Sequence, residues 1–306
     1  MTAIPWPTGP TVAAHQRRAR ARFERLPRPD AWSVAIPLLA GALVSSGILL
    51  GWRGGDLAAQ IFRVEAIRQH GLALWDSQWY AGHWMLGYSV LYPALAAAIG
   101  LSVASVLSAM VAAVAFDRLA HVHFARSAAR AASVVFTVSL IVETAIGQLP
   151  FLAGEGAGLW CCVALARRRP GWAALAAVFA GLLSPLAAAF VALAVTAWLA
   201  ATWWPTATGS GSGVGVAGRL FRPGVGAAIG VIGTVGAFLA LMGLLFPGQG
   251  PMPYPVIDCL WEVGIAAGLW VIAPVTERAL RAGFLLFAVV AAASVIVPPL
   301  GGNVGR

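Results

Sequence analysis

Asp56 follows Gly54-Gly55 and precedes the run Leu57-Ala-Ala-Gln60-Ile-Phe-Arg63. An acid just ahead of an amphipathic run can cap the helix through its side-chain oxygen, or serve as a base that takes a proton from a hydroxyl. Spacing alone leaves both open. A helix begun there carries Leu57, Ile61 and Val64 on an apolar stripe and Asp56, Gln60 and Arg63 on a neighbouring face, as expected of a helix lying on a membrane surface. Downstream, Leu74-Trp-Asp76-Ser-Gln-Trp79-Tyr80-Ala-Gly-His83-Trp84 mixes an acid and an imidazole with aromatic rings. Trp75, Trp79, Tyr80, Trp84, Tyr88 and Tyr92 fit an interfacial aromatic belt, and such rings also stack on sugar faces. A third segment carries Glu143, Gln148 and Glu155 within or beside apolar helices, where an ionisable group commonly faces a cavity. Gln148-Leu-Pro150 equally fits a helix stop whose polar group is wet.

The elements that position these residues follow from hydropathy. The chain has 306 residues, 60% hydrophobic and 10% charged, with a mean hydropathy of +0.83. A soluble domain carries about a quarter charged residues, so that class is excluded. Apolar runs cover residues 31–52, 85–116, 131–147, 149–166, 224–246, 261–275 and 284–298, and a longer run, 171–204, is broken at Ser184-Pro185 into two. With about 20 residues needed per crossing, the chain is an all-α, polytopic transmembrane helical bundle of about nine spans.

Every basic residue is arginine, and the net charge is +9. All arginines except Arg53, Arg63, Arg68 and Arg306 fall on one side of this map, in a tail (1–30), the span connectors and a Gly/Ser-rich flexible linker (205–223). The positive-inside rule makes that side cytoplasmic, with the N-terminus inside and the C-terminus outside. The positive charge is therefore topological, and no nucleic-acid partner is expected. The outer side then holds the first loop (53–85), with its juxtamembrane helix, and a Pro-rich loop (247–260). Asp56, Glu65, Asp76, Glu143, Glu155, Asp258 and Glu262 also map there, which suggests a shared extracytoplasmic site. Cys161, Cys162 and Cys259 form neither a disulfide framework nor a metal motif. His121-x-His123 fits a solvated face or a sparse metal pair, and no Gly-rich phosphate cradle points to a nucleotide.

The Arg-rich tail, the Asp after the first span, the Trp75-Asp76-x-x-Trp79-Tyr80-x-Gly82 run and Tyr92-Pro93 together resemble the C-type (GT-C) membrane glycosyltransferases of bacteria. Gly147-Gln-Leu-Pro-Phe-Leu152, Ser184-Pro-Leu-Ala-Ala-Ala-Phe190 and Pro299-Leu-Gly-Gly-Asn303 resemble recurring segments of those proteins. The resemblance implies an enzyme of the bacterial cytoplasmic membrane that moves a sugar from a polyprenyl-phosphate lipid to a cell-envelope glycan or lipid acceptor, with inversion. It assigns Asp56 as general base and Asp76 as a second acid or metal ligand, with a divalent metal ion as an open cofactor. Arg63 and His83 would meet the donor phosphate, and Trp79, Tyr80, Gln148 and Glu155 would bind substrate. Two features depart from the pattern: the first loop has no paired acids, and no large outer domain follows. Gly301-Gly302-Asn303 continues into further helices in similar proteins, which makes a fragment one reading. A transporter and a noncatalytic protein of the same fold are the alternative functions.

Overall fold

The computed structural model describes residues 30–77, 82–203, 224–247 and 254–297. The Arg-rich tail up to residue 29, Trp79, Tyr80, the linker 205–223, residues 248–253 of the Pro-rich loop and the final residues from 298 lie outside them. In chain order the helices are α1 (Ala31–Leu49), α2 (Leu57–His70), α3 (Tyr92–Ile99), α4 (Leu101–His123), α5 (Arg126–Ile146), α6 (Leu149–Ala166), α7 (Pro170–Leu183), α8 (Pro185–Trp203), α9 (Val225–Leu245), α10 (Val256–Ile272) and α11 (Arg278–Ile296). Between α2 and α3 a two-residue hairpin pairs β1 (Trp75–Asp76) with β2 (His83–Trp84).

Among the described residues, α1, α4, α5, α6, α8, α9 and α11 are long and apolar enough to cross a membrane. The chain is thus a multi-pass helical membrane protein. The two remaining expected spans fall on α7 and α10, with 14 and 17 residues. The break foreseen at Ser184-Pro185 is where α7 ends and α8 begins.

The run 85–116 is not one span. It divides into a 3-10 turn (Met85–Gly87), the short α3 and then α4. Pro93 starts α3 in its first turn, and Gly100, at φ +92°, ends it, because an L side chain rarely adopts that backbone. The 23 residues of α4 span by themselves.

Two of three apolar cores hold the long helices together, and the third, with Val64, Tyr92, Ala104 and Leu149, seats α2 and α3 on them. Ile36, Ala40 and Val44 of α1 pack with Ala109, Ala112 and Ala113 of α4, Leu140 of α5 and Leu152 of α6. Cys161 of α6, Ala177 of α7, Val191 of α8 and Val231 of α9 belong to the second. Small residues let these helices approach closely, as at Gly156, where an added Cβ would lie 3.3 Å from the Ala112 nitrogen.

At the start of α1 a polar clamp joins three helices. Asp30 caps α1 by accepting from the Ser33 N–H at 3.0 Å and pairs with Arg126 at 2.8 Å and Arg130 at 3.3 Å. The Ser33 N–H first, and then Arg126, hold the Asp30 pKa down to about 2. Its contribution is complete above the ordinary value of 3.8 and fades as pH falls from there through about 2. Beneath it, buried Asp117 of α4 accepts from Trp32 Nε1 of α1 and from Ser133 Oγ of α5, both at 2.9 Å. His121, one member of the His-x-His pair, bonds the Asp117 carbonyl through Nδ1 at 2.9 Å.

Asp117→Ala leaves the Trp32 Nε1–H without its acceptor, while Ser133 Oγ keeps the Ala129 carbonyl, at a cost of about 1–3 kcal/mol. Thermal unfolding in detergent should show a lowered midpoint, with Asp117→Asn, which keeps one acceptor oxygen, in between. An unchanged midpoint for the alanine variant would contradict the clamp.

Candidate functional site

The site begins with two backbones in contact. Gly54 lies so close to the end of α5 that any Cβ there would strike the carbonyl oxygens of Ala145 and Ile146. Gly147, at φ +93°, closes α5 and approaches the Leu57 nitrogen just as tightly. The Asp56 N–H donates to the Ile146 carbonyl at 3.1 Å. This seam fixes the start of α2 against the turn between α5 and α6.

Asp56 occupies the N-cap position of α2 but makes no side-chain capping bond. Asp56 lines a groove of about 630 Å³. Tyr88, Gln148 and Ser184 line the same groove. From Pro185 to Thr196 the groove follows α8 for about 16 Å, at about 1.5 Å rise per residue. Along that path the lining is Phe151, Phe190, Leu193, Leu239 and Phe287. The Phe190 ring sits edge-on to Phe151 at 5.8 Å and stacked with Phe287 at 6.3 Å. The groove is therefore polar at the Asp56 end and mostly aromatic or aliphatic along α8, with Thr196 at its far end and Ser294 also in the lining.

A second set of backbone bonds secures the Tyr88 side. Pro185 has no N–H, and the end of α7 leaves carbonyls without intrahelical partners. Val90 and Leu91 N–H groups donate to the Leu182 carbonyl, both at 2.9 Å, and Ser89 Oγ donates to the Leu183 carbonyl at 2.7 Å. Tyr88 is thereby held beside Ser184.

Helix α2 turns its polar face into the protein. Gln60 and Arg63 are buried, at 1% and 6% exposure, while Ile61 is 53% exposed. The cause is Tyr88: Gln60 Nε2 donates to its hydroxyl at 3.4 Å, and the Arg63 guanidinium stacks on its ring at 4.0 Å. Val64 stays buried, as expected.

The other expected site residues divide. Gln148 is both helix stop and groove lining, buried at 5% exposure. Asp76 and His83 face each other across the β1–β2 hairpin and do not line the groove. The hairpin's Trp84 packs edge-on between Trp75, at 5.0 Å, and Phe246, at 5.9 Å, next to groove-lining Gly87. Glu155 lies off the groove and comes within hydrogen-bonding reach of Glu143. One oxygen of each, Oε2, is buried and without a hydrogen-bond partner.

The acids expected on the outer side find separate partners or surroundings. Glu65 takes Gln69 Nε2 at 2.7 Å, Glu262 takes the Tyr254 hydroxyl at 2.5 Å, and Asp258 is exposed. Among the described residues no three His, Cys, Asp or Glu side chains form a metal-ligand set. Tyr88 and Ser184, which the sequence marked as belt residue and helix break, are the additional groove residues. No protein-family model, curated protein or solved structure matches the chain.

Gly54→Val should pry α2 from the seam and raise tryptic cleavage after buried Arg63 about tenfold, the effect of about 1.4 kcal/mol on local opening. Gly55→Ala, with open space around it, is the matched control. Equal cleavage in both variants would count against the seam.

Proposed function

We propose that the chain is a C-type membrane glycosyltransferase that moves a sugar from a polyprenyl-phosphate lipid to a cell-envelope glycan or lipid acceptor. The carrying observation is an acidic residue, Asp56, lining the polar end of a mostly apolar groove. An amphipathic donor matches that polarity: the prenyl chain along Phe151, Phe190 and Phe287, the sugar phosphate beside Tyr88, Gln148 and Ser184. A transporter for a polar solute would need polar groups along the path, and the lining between Pro185 and Thr196 is almost wholly apolar.

In this reading Asp56 accepts the acceptor's hydroxyl proton as that oxygen attacks the anomeric carbon. The new glycosidic bond forms while the bond from that carbon to the phosphate oxygen breaks. The departing electron pair stays on the polyprenyl phosphate, and the configuration inverts. Gln148 and Tyr88 are hydrogen-bond donors for orienting the sugar phosphate, and Arg63, stacked on Tyr88, supplies positive charge behind it.

The topology belongs to the same proposal: nine spans with α7 and α10 included, N-terminus in the cytoplasm, C-terminus outside, in a bacterial inner membrane. The arginine distribution supports this orientation.

Native mass spectrometry of wild type and Asp56→Asn, incubated with a bacterial lipid extract, tests the reading. Wild type should retain a polyprenyl-phosphate sugar and consume it when a bacterial cell-envelope extract is added as acceptor. Asp56→Asn should retain it and turn over about 10²–10⁴-fold more slowly. Unchanged turnover in the variant would remove Asp56 as base, and absence of any polyprenyl lipid on wild type would remove the donor class. Leu193→Trp, which fills the apolar part of the groove, should reduce lipid retention with Asp56 intact.

A further inference from the structure

The end of α6 carries a cluster of cations outside the proposed active site. Helices α4 and α6 pack against each other, and Arg118, near the end of α4, comes close to Arg167, the residue after α6. Burial first, and then the charges of Arg118 and Arg169, press the Arg167 guanidinium below its ordinary range. Arginine does not relieve such crowding by losing its proton. Among the described residues no carboxylate forms an ion pair with Arg118, Arg167, Arg168 or Arg169. An anion from outside the chain would relieve it.

The backbone is an independent sign. Arg168 N–H donates to the Leu165 carbonyl and Arg169 N–H to the Ala164 carbonyl, both at 2.9 Å, closing α6 in a Schellman motif. The motif puts Arg168 at φ +55°, the sole non-glycine with positive φ among the described residues. Glycine fills that position with least strain, and this chain has 35 glycines. An arginine kept in a strained position points to a use for its charge.

Beside it lies a recess of about 480 Å³ lined by Arg169, Pro170, Gly171, Trp172 and Leu175. From the recess, α7 turns Trp172, Leu175 and Phe179 outward, 63%, 46% and 46% exposed, while Ala173, Ala177 and Ala180 face the core. The three- and four-residue spacing makes one apolar stripe leading away from the guanidinium groups. A bare phosphate would leave that stripe unused.

We propose that this corner binds an anionic phospholipid, its headgroup phosphate held by Arg167, Arg168 and Arg169 and an acyl chain lying along Trp172, Leu175 and Phe179. The site does not depend on the transferase reading.

The test is native mass spectrometry of the full chain in detergent, titrated with phosphatidylglycerol, phosphatidylcholine or inorganic phosphate, alongside thermal unfolding. Wild type should bind phosphatidylglycerol in preference to phosphatidylcholine. Arg168→Gly relaxes the cap while removing a charge, so its thermal midpoint should hold or rise as phosphatidylglycerol binding weakens roughly fivefold. The triple variant Arg167→Gln/Arg168→Gly/Arg169→Gln should lose the preference, and Arg53→Gln, an exposed arginine beyond the far end of α1, should keep it. Equal binding of the two lipids by wild type, or wild-type binding by Arg168→Gly and the triple variant, would overturn the proposal. Inorganic phosphate that displaces the lipid and stabilises the protein equally well would reassign the site to a soluble anion. A lowered midpoint for Arg168→Gly would overturn the argument from the cap.

Discussion

A helix end among packed apolar helices frees backbone groups that need partners, and one end of this bundle is organised by how two such helix ends are closed. At Ser184-Pro185 the exposed carbonyls of Leu182 and Leu183 are taken by the backbone and side chain of residues 89–91. At the end of α5 the Ile146 carbonyl is taken by the Asp56 N–H. Both closures recruit the segment between α1 and α3, one near each end of it. The loop is thereby stitched over the bundle, and Asp56 and Tyr88, far apart in sequence, end at the same groove. Glycine at 54 and 147 is the condition for the second closure, because the two backbones meet closer than any side chain permits.

The contrast between two aspartates shows what this stitching achieves. Asp117 lies in a tightly packed helix core and spends its acceptor capacity on Trp32 and Ser133, with His121 3.3 Å away. It is a structural acid, with both donors converging on Oδ1. Asp56 heads a helix yet does not cap it, and it stands at the groove rather than in a helix core. Residue type is the same in both; the difference lies in where the fold places them.

Hydropathy made the long helices legible, since a run of apolar residues bounded by arginines has few other stable forms. The Pro185 break was legible for the same reason: a residue without an N–H leaves its mark in the local sequence. Gly100 was not, because a glycine inside an apolar run carries no hydropathy signal, and only its left-handed backbone separates α3 from α4. The burial of the polar face of α2 was hidden for a different reason. Periodicity separates the two faces of the helix but does not name a partner for the polar one, and here Tyr88, 25 to 28 positions away from Arg63 and Gln60, supplies a ring and a hydroxyl for it. The acids expected on the outer side found separate partners because a charge marks the solvent side of a span and says nothing of direction around it; Glu155 turned toward Glu143, and Glu262 toward Tyr254.

The Tyr88 arrangement also bears on how a single groove could hold both a carboxylate base and an anionic lipid phosphate. Two negative charges near one another in a partly desolvated site repel, and at an effective dielectric of about 20 two unit charges about 8 Å apart cost about 2 kcal/mol. Arg63 offsets a charge of that kind without entering the groove, because its guanidinium lies on the ring of Tyr88 and the ring forms the wall. The cation is kept from pairing directly with the phosphate and so from binding the spent carrier too tightly to release. On the proposed reading, the buried polar face of α2 is therefore the electrostatic counterpart of the apolar groove: α8 and its neighbours hold the lipid, and α2 sets the potential at its head.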